Sequence, residues 1–178
     1  MGDDRSFSDN GLAQSGNYSD AVLVKLYSGS HDGEYVLEDS QAVFLTTHVA
    51  KSISIYLADI GQSFTEGRIS KTLDFGELEE WEYRDIEIQV KSNTAYNLKI
   101  RSQNNGRLKH EKLNEYIPYS IFVDGVSISS TNNSGTTPLH GSSKSGQVTH
   151  GTRVMIGDVS NKVAGRYTDF VTITATAN

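Results

Sequence analysis

The sequence has no cysteine, which excludes a disulfide framework and thiol chemistry and leaves the redox compartment open. Proline is nearly absent, with 2 residues, and there is 1 tryptophan. No apolar run approaches the ~20 residues that a membrane-crossing helix needs, so no membrane span is expected. No signal-peptide pattern occurs; Met1-Gly2-Asp3-Asp4 reads as a start added to a processed or trimmed chain. A formal net charge of -6 without any basic cluster argues against a nucleic-acid partner. There is no Gly-x-Ser-x-Gly elbow, phosphate-cradling glycine loop or calcium-loop ladder of acids. His31, His48, His110, His140 and His150 stand at no zinc-binding spacing and read as solvated loop residues. No catalytic residue, metal site or cofactor is therefore expected.

What is present is turn chemistry and alternation. The chain holds 16 glycines and 9 tyrosines among abundant Ser, Thr and Asn, a balance that suits short strands joined by turns. Its 178 residues suffice for one domain, or one domain with a substantial extension. Strands are predicted over 19–27, 34–37, 42–47, 52–57, 68–75, 83–91, 95–101, 117–123, 126–129 and 152–156, and from Phe170 to the end. Ile86, Ile88 and Val90 share one face of their strand, as do Tyr96, Leu98 and Ile100. Asp124-Gly125 is a strong hairpin signal between two of these strands. Residues 1–15 read as a flexible lead-in, and Ser130 to His150 as an exposed low-complexity loop. The one helix candidate is Glu77 to Trp81, although Trp81 reads better as packed at a strand end. About ten strands without helical periodicity mean an all-β sandwich.

The two ends of the chain share a design. Gly165-Arg166-Tyr167-Thr168-Asp169 leads into a strand with Val171, Ile173, Ala175 and Ala177 on one face and Thr172, Thr174 and Thr176 on the other. Gly16-Asn17-Tyr18-Ser19-Asp20 leads into Val22, Val24 and Leu26 in the same spacing. A terminal strand needs a neighbour on each side or remains an open edge.

Acidic residues invite an enzymatic reading. Glu77, Glu79, Glu80 and Glu82 surround Trp81, which could suggest a glycosidase pair beside a sugar-stacking ring. Catalytic carboxylates converge from different strands, so a solvated turn explains these acids more simply, and no enzyme activity is expected. Asn17-Tyr18-Ser19 and Asn132-Asn133-Ser134 match a glycosylation acceptor, which matters only in a eukaryotic secretory route.

Several segments, in order, resemble the spore coat protein U family, subunits of archaic chaperone–usher pili. They are Leu73-Asp74-Phe75-Gly76-Glu77-Leu78, Val90 to Leu98, Ser102 to His110, Ile117-Pro118-Tyr119, Ile156-Gly157-Asp158-Val159, and Ala164 to Asp169 with its strand. The resemblance spans about residues 40–178. It implies an immunoglobulin-like, pilin-type sandwich that lacks its seventh strand and is completed by strand complementation. A periplasmic chaperone would fill the gap first, then the N-terminal extension of the next subunit, at an outer-membrane usher. The implied product is a structural or adhesive fimbrial subunit, secreted through the periplasm to the cell surface, with a host or surface receptor as a further partner.

On that basis residues 1–39 form an N-terminal extension and 40–178 the pilin-like domain. Val22, Val24 and Leu26 are the candidate donor-strand residues; Val171, Ile173 and Ala175 are the candidate acceptor groove. Two other readings stay open: residues 20–27 as an ordinary first strand of a complete domain, or Gly16 to Tyr27 as the last strand of a deleted preceding domain. A carbohydrate-binding sandwich module, with Trp81 or tyrosines as stacking groups, is the alternative function.

Overall fold

Twelve strands and no helix make up the residues that the structure, a computed structural model, describes: 12–29, 32–63, 69–128, 139–140 and 146–178. The first two strands, β1 (Gly16–Ser28) and β2 (Val36–Val49), form a long antiparallel ribbon by themselves. They are followed by β3 (Ile53–Ala58), β4 (Tyr83–Ser92), β5 (Tyr96–Ser102), β6 (Arg107–His110), β7 (Tyr116–Val123) and β8 (Val126–Ile128). Then come β9 (Leu139–His140), β10 (Gly146–Ile156), β11 (Tyr167–Thr168) and β12 (Val171–Ala177).

Two sheets build the sandwich. One runs β11-β6-β7-β10-β4-β3, with β8 on β7, and the other runs β12-β5-β9. In immunoglobulin lettering β3, β4, β10 and β7 stand in the A-B-E-D order of the first sheet, and β5 and β12 stand as C and F of the second. Among the described residues no strand occupies the place of G. The core between the sheets holds residues predicted by alternation, Ile88 and Val90 on β4 and Tyr96, Leu98 and Ile100 on β5, and adds Ile117, Tyr119, Ile121 and Val123 on β7 and Ile156 on β10. Asp124-Gly125 makes the β7–β8 turn with both φ angles positive, 50° and 79°, as a two-residue type I′ hairpin requires.

Several expectations are corrected. Residues 36–37 and 42–47 belong to one strand, β2, which also spans positions 39 and 40, while 34 and 35 lie before it. Residues 69–75 form no strand; Phe75 and Leu78 instead plug the core edge, and Arg84 lies 5.2 Å from the Phe75 ring centre. Glu77 to Trp81 is not helical. Trp81 is 61% exposed in a left-handed conformation, φ 67°, and only its backbone is anchored, its amide donating to the Ile156 carbonyl at 3.1 Å. β10 begins at Gly146, inside the predicted loop, where it pairs with β4 and turns polar His150 inward.

Two histidines are buried rather than solvated. His110 Nδ1 accepts the amides of Lys112 and Leu113, each at 3.0 Å, capping the turn after β6. His150 joins the Asp124 carboxylate (2.7 Å at Nδ1) to the Tyr96 hydroxyl (2.9 Å at Nε2) across the sandwich. Burial and the Asp124 charge hold that tyrosine above its ordinary ionisation range. His31, residues 1–11 and most of the predicted loop at 130–150, Asn132 to Ser134 included, lie outside the described residues.

Candidate strand-acceptor edge

β12 pairs antiparallel with β5, setting Val171 opposite Ser102, Ile173 opposite Ile100, Ala175 opposite Leu98 and Ala177 opposite Tyr96. Its other edge meets no strand among the described residues. The hydrogen-bond phase fixes what that edge offers. Gln103 donates its amide to the Phe170 carbonyl, and Asn178 donates to the Ala95 carbonyl, each at 2.8 Å. Bonded pairs alternate along an antiparallel ladder, so Thr172, Thr174 and Thr176 direct their backbone groups at β5. The amides and carbonyls of Val171, Ile173, Ala175 and Ala177 therefore point to the open side.

The same four residues belong to the inward face. Ile173 and Ala175 pack against the core but stay half-buried, whereas Ile100 and Leu98 opposite them are fully buried. Val171, at the start of the strand, is 41% exposed. On the facing sheet the edge strand is β3, and its Ile53, Ile55 and Leu57 are likewise half-buried against the core. β3 approaches β12 across this side of the sandwich. The two edges thus flank an apolar slot with a row of backbone groups along one lip, a costly surface to leave open to water.

Both ends of β12 are pinned by its own domain. Asp169, just before the strand, accepts hydrogen bonds from the Tyr119 hydroxyl, the Ser102 hydroxyl and the Asn104 amide (3.0 Å). Burial first, and then this carboxylate, push the Tyr119 hydroxyl far above the ordinary tyrosine range, so it remains a donor. At the far end Thr94 Oγ1 donates to the Asn178 carbonyl at 3.1 Å, and the Asn97 side chain donates to Asn178 Oδ1 at 2.8 Å. The open edge is held in place with no second neighbouring strand among the described residues.

The structure places the candidate donor residues elsewhere. Val22, Val24 and Leu26 lie in β1, paired with β2, and are 47%, 55% and 63% exposed. They do not line their own chain's slot. Of the four acids near Trp81, Glu82 pairs with Arg84 at 2.6 Å while Glu77, Glu79 and Glu80 are exposed on the turn. Among the described residues no group of three His, Cys, Asp or Glu side chains could hold a metal ion, and no helix is long and apolar enough to cross a membrane. Asp169 escaped the sequence reading; its partners Ser102 and Tyr119 lie 67 and 50 residues away, beyond any local pattern.

No curated protein matches the chain by sequence. Among solved structures, it is similar to a chain of the CsuC–CsuE chaperone–tip adhesion subunit pre-assembly complex from the archaic chaperone-usher Csu pili of Acinetobacter baumannii. That match has 16% identity and a TM-score of 0.52, covering 93% of this chain and 60% of that chain. The chain thus spans under two thirds of that solved chain's length. A second similarity, to a chaperone–tip adhesin complex of CFA/I fimbriae biogenesis, has 16% identity and a TM-score of 0.42, covering 94% of this chain and 54% of that one. The Spore Coat Protein U domain matches residues 70–174, from the turn before β4 into β12 and across more than half the sequence. By that match the chain belongs to the spore coat protein U family.

Proposed function

We propose that the chain is a structural or adhesive subunit of a bacterial chaperone–usher surface fibre, and that its β12 edge takes up a strand from another polypeptide. The observation that carries this reading is the open edge itself: Val171, Ile173, Ala175 and Ala177 present inward side chains and outward backbone groups together. Strand addition satisfies both at once, with main-chain bonds for strength and alternate side chains for register. In the proposed sequence a periplasmic chaperone occupies the slot first. A strand of the neighbouring subunit replaces it at the outer-membrane usher, and the joined subunits reach the cell surface as a fimbrium. Such head-to-tail joints do not close on themselves, so they extend as a fibre. Each Val or Leu side chain buried in the slot contributes ~1.5–3 kcal/mol, enough for a long-lived joint from three anchors.

The test is thermal unfolding of the full chain with synthetic peptides of residues 17–28 and 36–49, both strand-forming and rich in apolar residues. At a hundredfold excess over Kd a bound strand stabilises by about 2.7 kcal/mol and raises Tm by several degrees. If neither peptide shifts the transition, and the chain neither assembles nor binds a periplasmic chaperone, the reading is wrong.

The exposed Trp81 ring keeps a carbohydrate-binding reading in view. A glycan array probed with the chain and with Trp81→Ala decides it; silence from both rejects that reading.

A further inference from the structure

The N-terminal ribbon repeats the local geometry of the acceptor strand. Gly16 and Gly165 have φ angles of 148° and 156°. Two residues on, the Tyr18 hydroxyl donates to the Gln14 carbonyl at 2.7 Å, and the Tyr167 hydroxyl donates to the Val163 carbonyl at 2.7 Å, four residues back in both cases. After two more residues, Asp20 Oδ1 accepts the Ala21 amide and Asp169 Oδ1 accepts the Phe170 amide, each at 2.8 Å. A strand follows directly in each case, with Val22, Val24 and Leu26 in the places of Val171, Ile173 and Ala175. Sequence, backbone and hydrogen bonds agree at the same three positions.

The surroundings do not agree. Beneath β12 lies the core, and Asp169 holds Ser102 and Tyr119. Beneath β1 the described residues place nothing, although both faces of the ribbon are apolar. Val22 pairs with Val43 and Asp20 with Leu45 on one face; Ala21 pairs with Phe44 and Leu23 with Ala42 on the other. Among the described residues, more than half of the large apolar side chains that stand exposed belong to residues 18–45. Soluble domains seldom leave a patch of that size bare.

We infer that β1 and β2 are the sixth and seventh strands of a second sandwich built like residues 53–178, and that its other strands are carried on the polypeptide ahead of Gly16. In this assignment β1 takes the F place that β12 holds, and β2, the next strand in the chain and antiparallel to β1, takes the G place that stands open beside β12. Val22, Val24 and Leu26 then face a core of their own. The covering sheet must be apolar and must supply a C-type strand to the free edge of β1. The similarity to the Csu chain fits this arrangement. It extends over 93% of this chain, taking in most of the ribbon, and still leaves much of that longer chain outside the match. The proposal does not depend on strand uptake at β12, so failure of the peptide test above leaves it standing.

Amide hydrogen exchange tests it, on the 178-residue chain and on the chain extended by whatever its gene encodes upstream. In the monomeric 178-residue chain, β1 and β2 amides are expected to exchange at least ~100-fold faster than those of β4 and β5, and the upstream polypeptide should slow them by a similar factor. Phe44→Asp should lower a separate unfolding transition in the extended chain and leave the transition of residues 53–178 in place. Three results overturn the inference: a gene with no domain-sized segment upstream, a ribbon already protected in the monomer, or protection that grows with concentration and so comes from a second copy.

Discussion

β1 and β12 begin with the same five-residue device and end in opposite circumstances. At β12 the device is stitched into its domain: the Gly165 α-carbon passes against His110, the Tyr167 ring meets the His110 ring edge-on at 4.9 Å, and Asp169 gathers donors from β5, β7 and the turn after β5. At β1 the same device bonds within itself and to β2, where the Asn17 side chain meets His48 at 2.8 Å. The difference separates two roles that sequence similarity merges. The motif starts a strand wherever it occurs, whereas tertiary partners decide how much stability it contributes.

Substitutions at matched positions sharpen this contrast. The largest effect is expected at the glycines. A Cβ on Gly165 would sit 2.1 Å from His110 Nε2, so Gly165→Ala should destabilise the sandwich by about 3 kcal/mol or more in urea unfolding. Gly16→Ala meets nothing within 4 Å and should cost about 1 kcal/mol of ribbon stability, from its backbone conformation alone. Equal losses at the two sites would break the comparison.

Next comes the aspartate. Asp169→Ala leaves the buried Tyr119 hydroxyl without its acceptor and should cost about 2–3 kcal/mol, against less than about 0.5 kcal/mol for exposed Asp20→Ala. Chemical denaturation of both variants supplies the measurement.

The Tyr119–Asp169 pair also predicts an alkaline signature. The folded-state ionisation of Tyr119 is raised, so its stabilising contribution is complete below the unfolded tyrosine value near pH ~10. Above that pH the unfolded chain gives up the proton while the folded chain keeps it, and stability falls until the folded hydroxyl also ionises. Tyr119→Phe should flatten that decline in unfolding curves taken between about pH 9 and 11. Buried Tyr96, also raised, leaves a residual slope.

The smallest effects fall on the apolar positions. Ile173→Ala removes a half-buried side chain that packs on the core and should cost about 1 kcal/mol, whereas Val24→Ala should change the main transition by less than about 0.5 kcal/mol. A larger loss from Val24→Ala would mean that the ribbon packs on the sandwich in solution.

How far these features could be read from sequence follows the range of the forces involved. Alternation is local, so the inward faces of β4 and β5 and the Asp124-Gly125 turn were legible from a few residues each. The first half of β10 was not, since His150 looks solvated until Tyr96 and Asp124 are seen beside the histidine. β2 was split in two by the polar run Glu38 to Gln41, of which Asp39 to Gln41 pair with Val24 to Leu26 and Glu38 falls at the register shift, an arrangement set by the opposite strand. Trp81 misled because a large ring suggests burial, and its left-handed backbone turns it outward. The open side of β12 was accessible only through family resemblance. A strand with one neighbour and a strand with two carry the same alternation.

One consequence follows from the phase of the β12 ladder. Because the odd-numbered residues 171–177 supply both the inward side chains and the free backbone groups, an incoming chain offset by one position would meet mismatched polar groups and turn its oily side to water. Offsets of two restore both. A segment seated there can creep only in double steps of roughly 7 Å, like a pawl on a coarse rack, and pulling on such a joint meets one discrete barrier after another instead of a smooth slide.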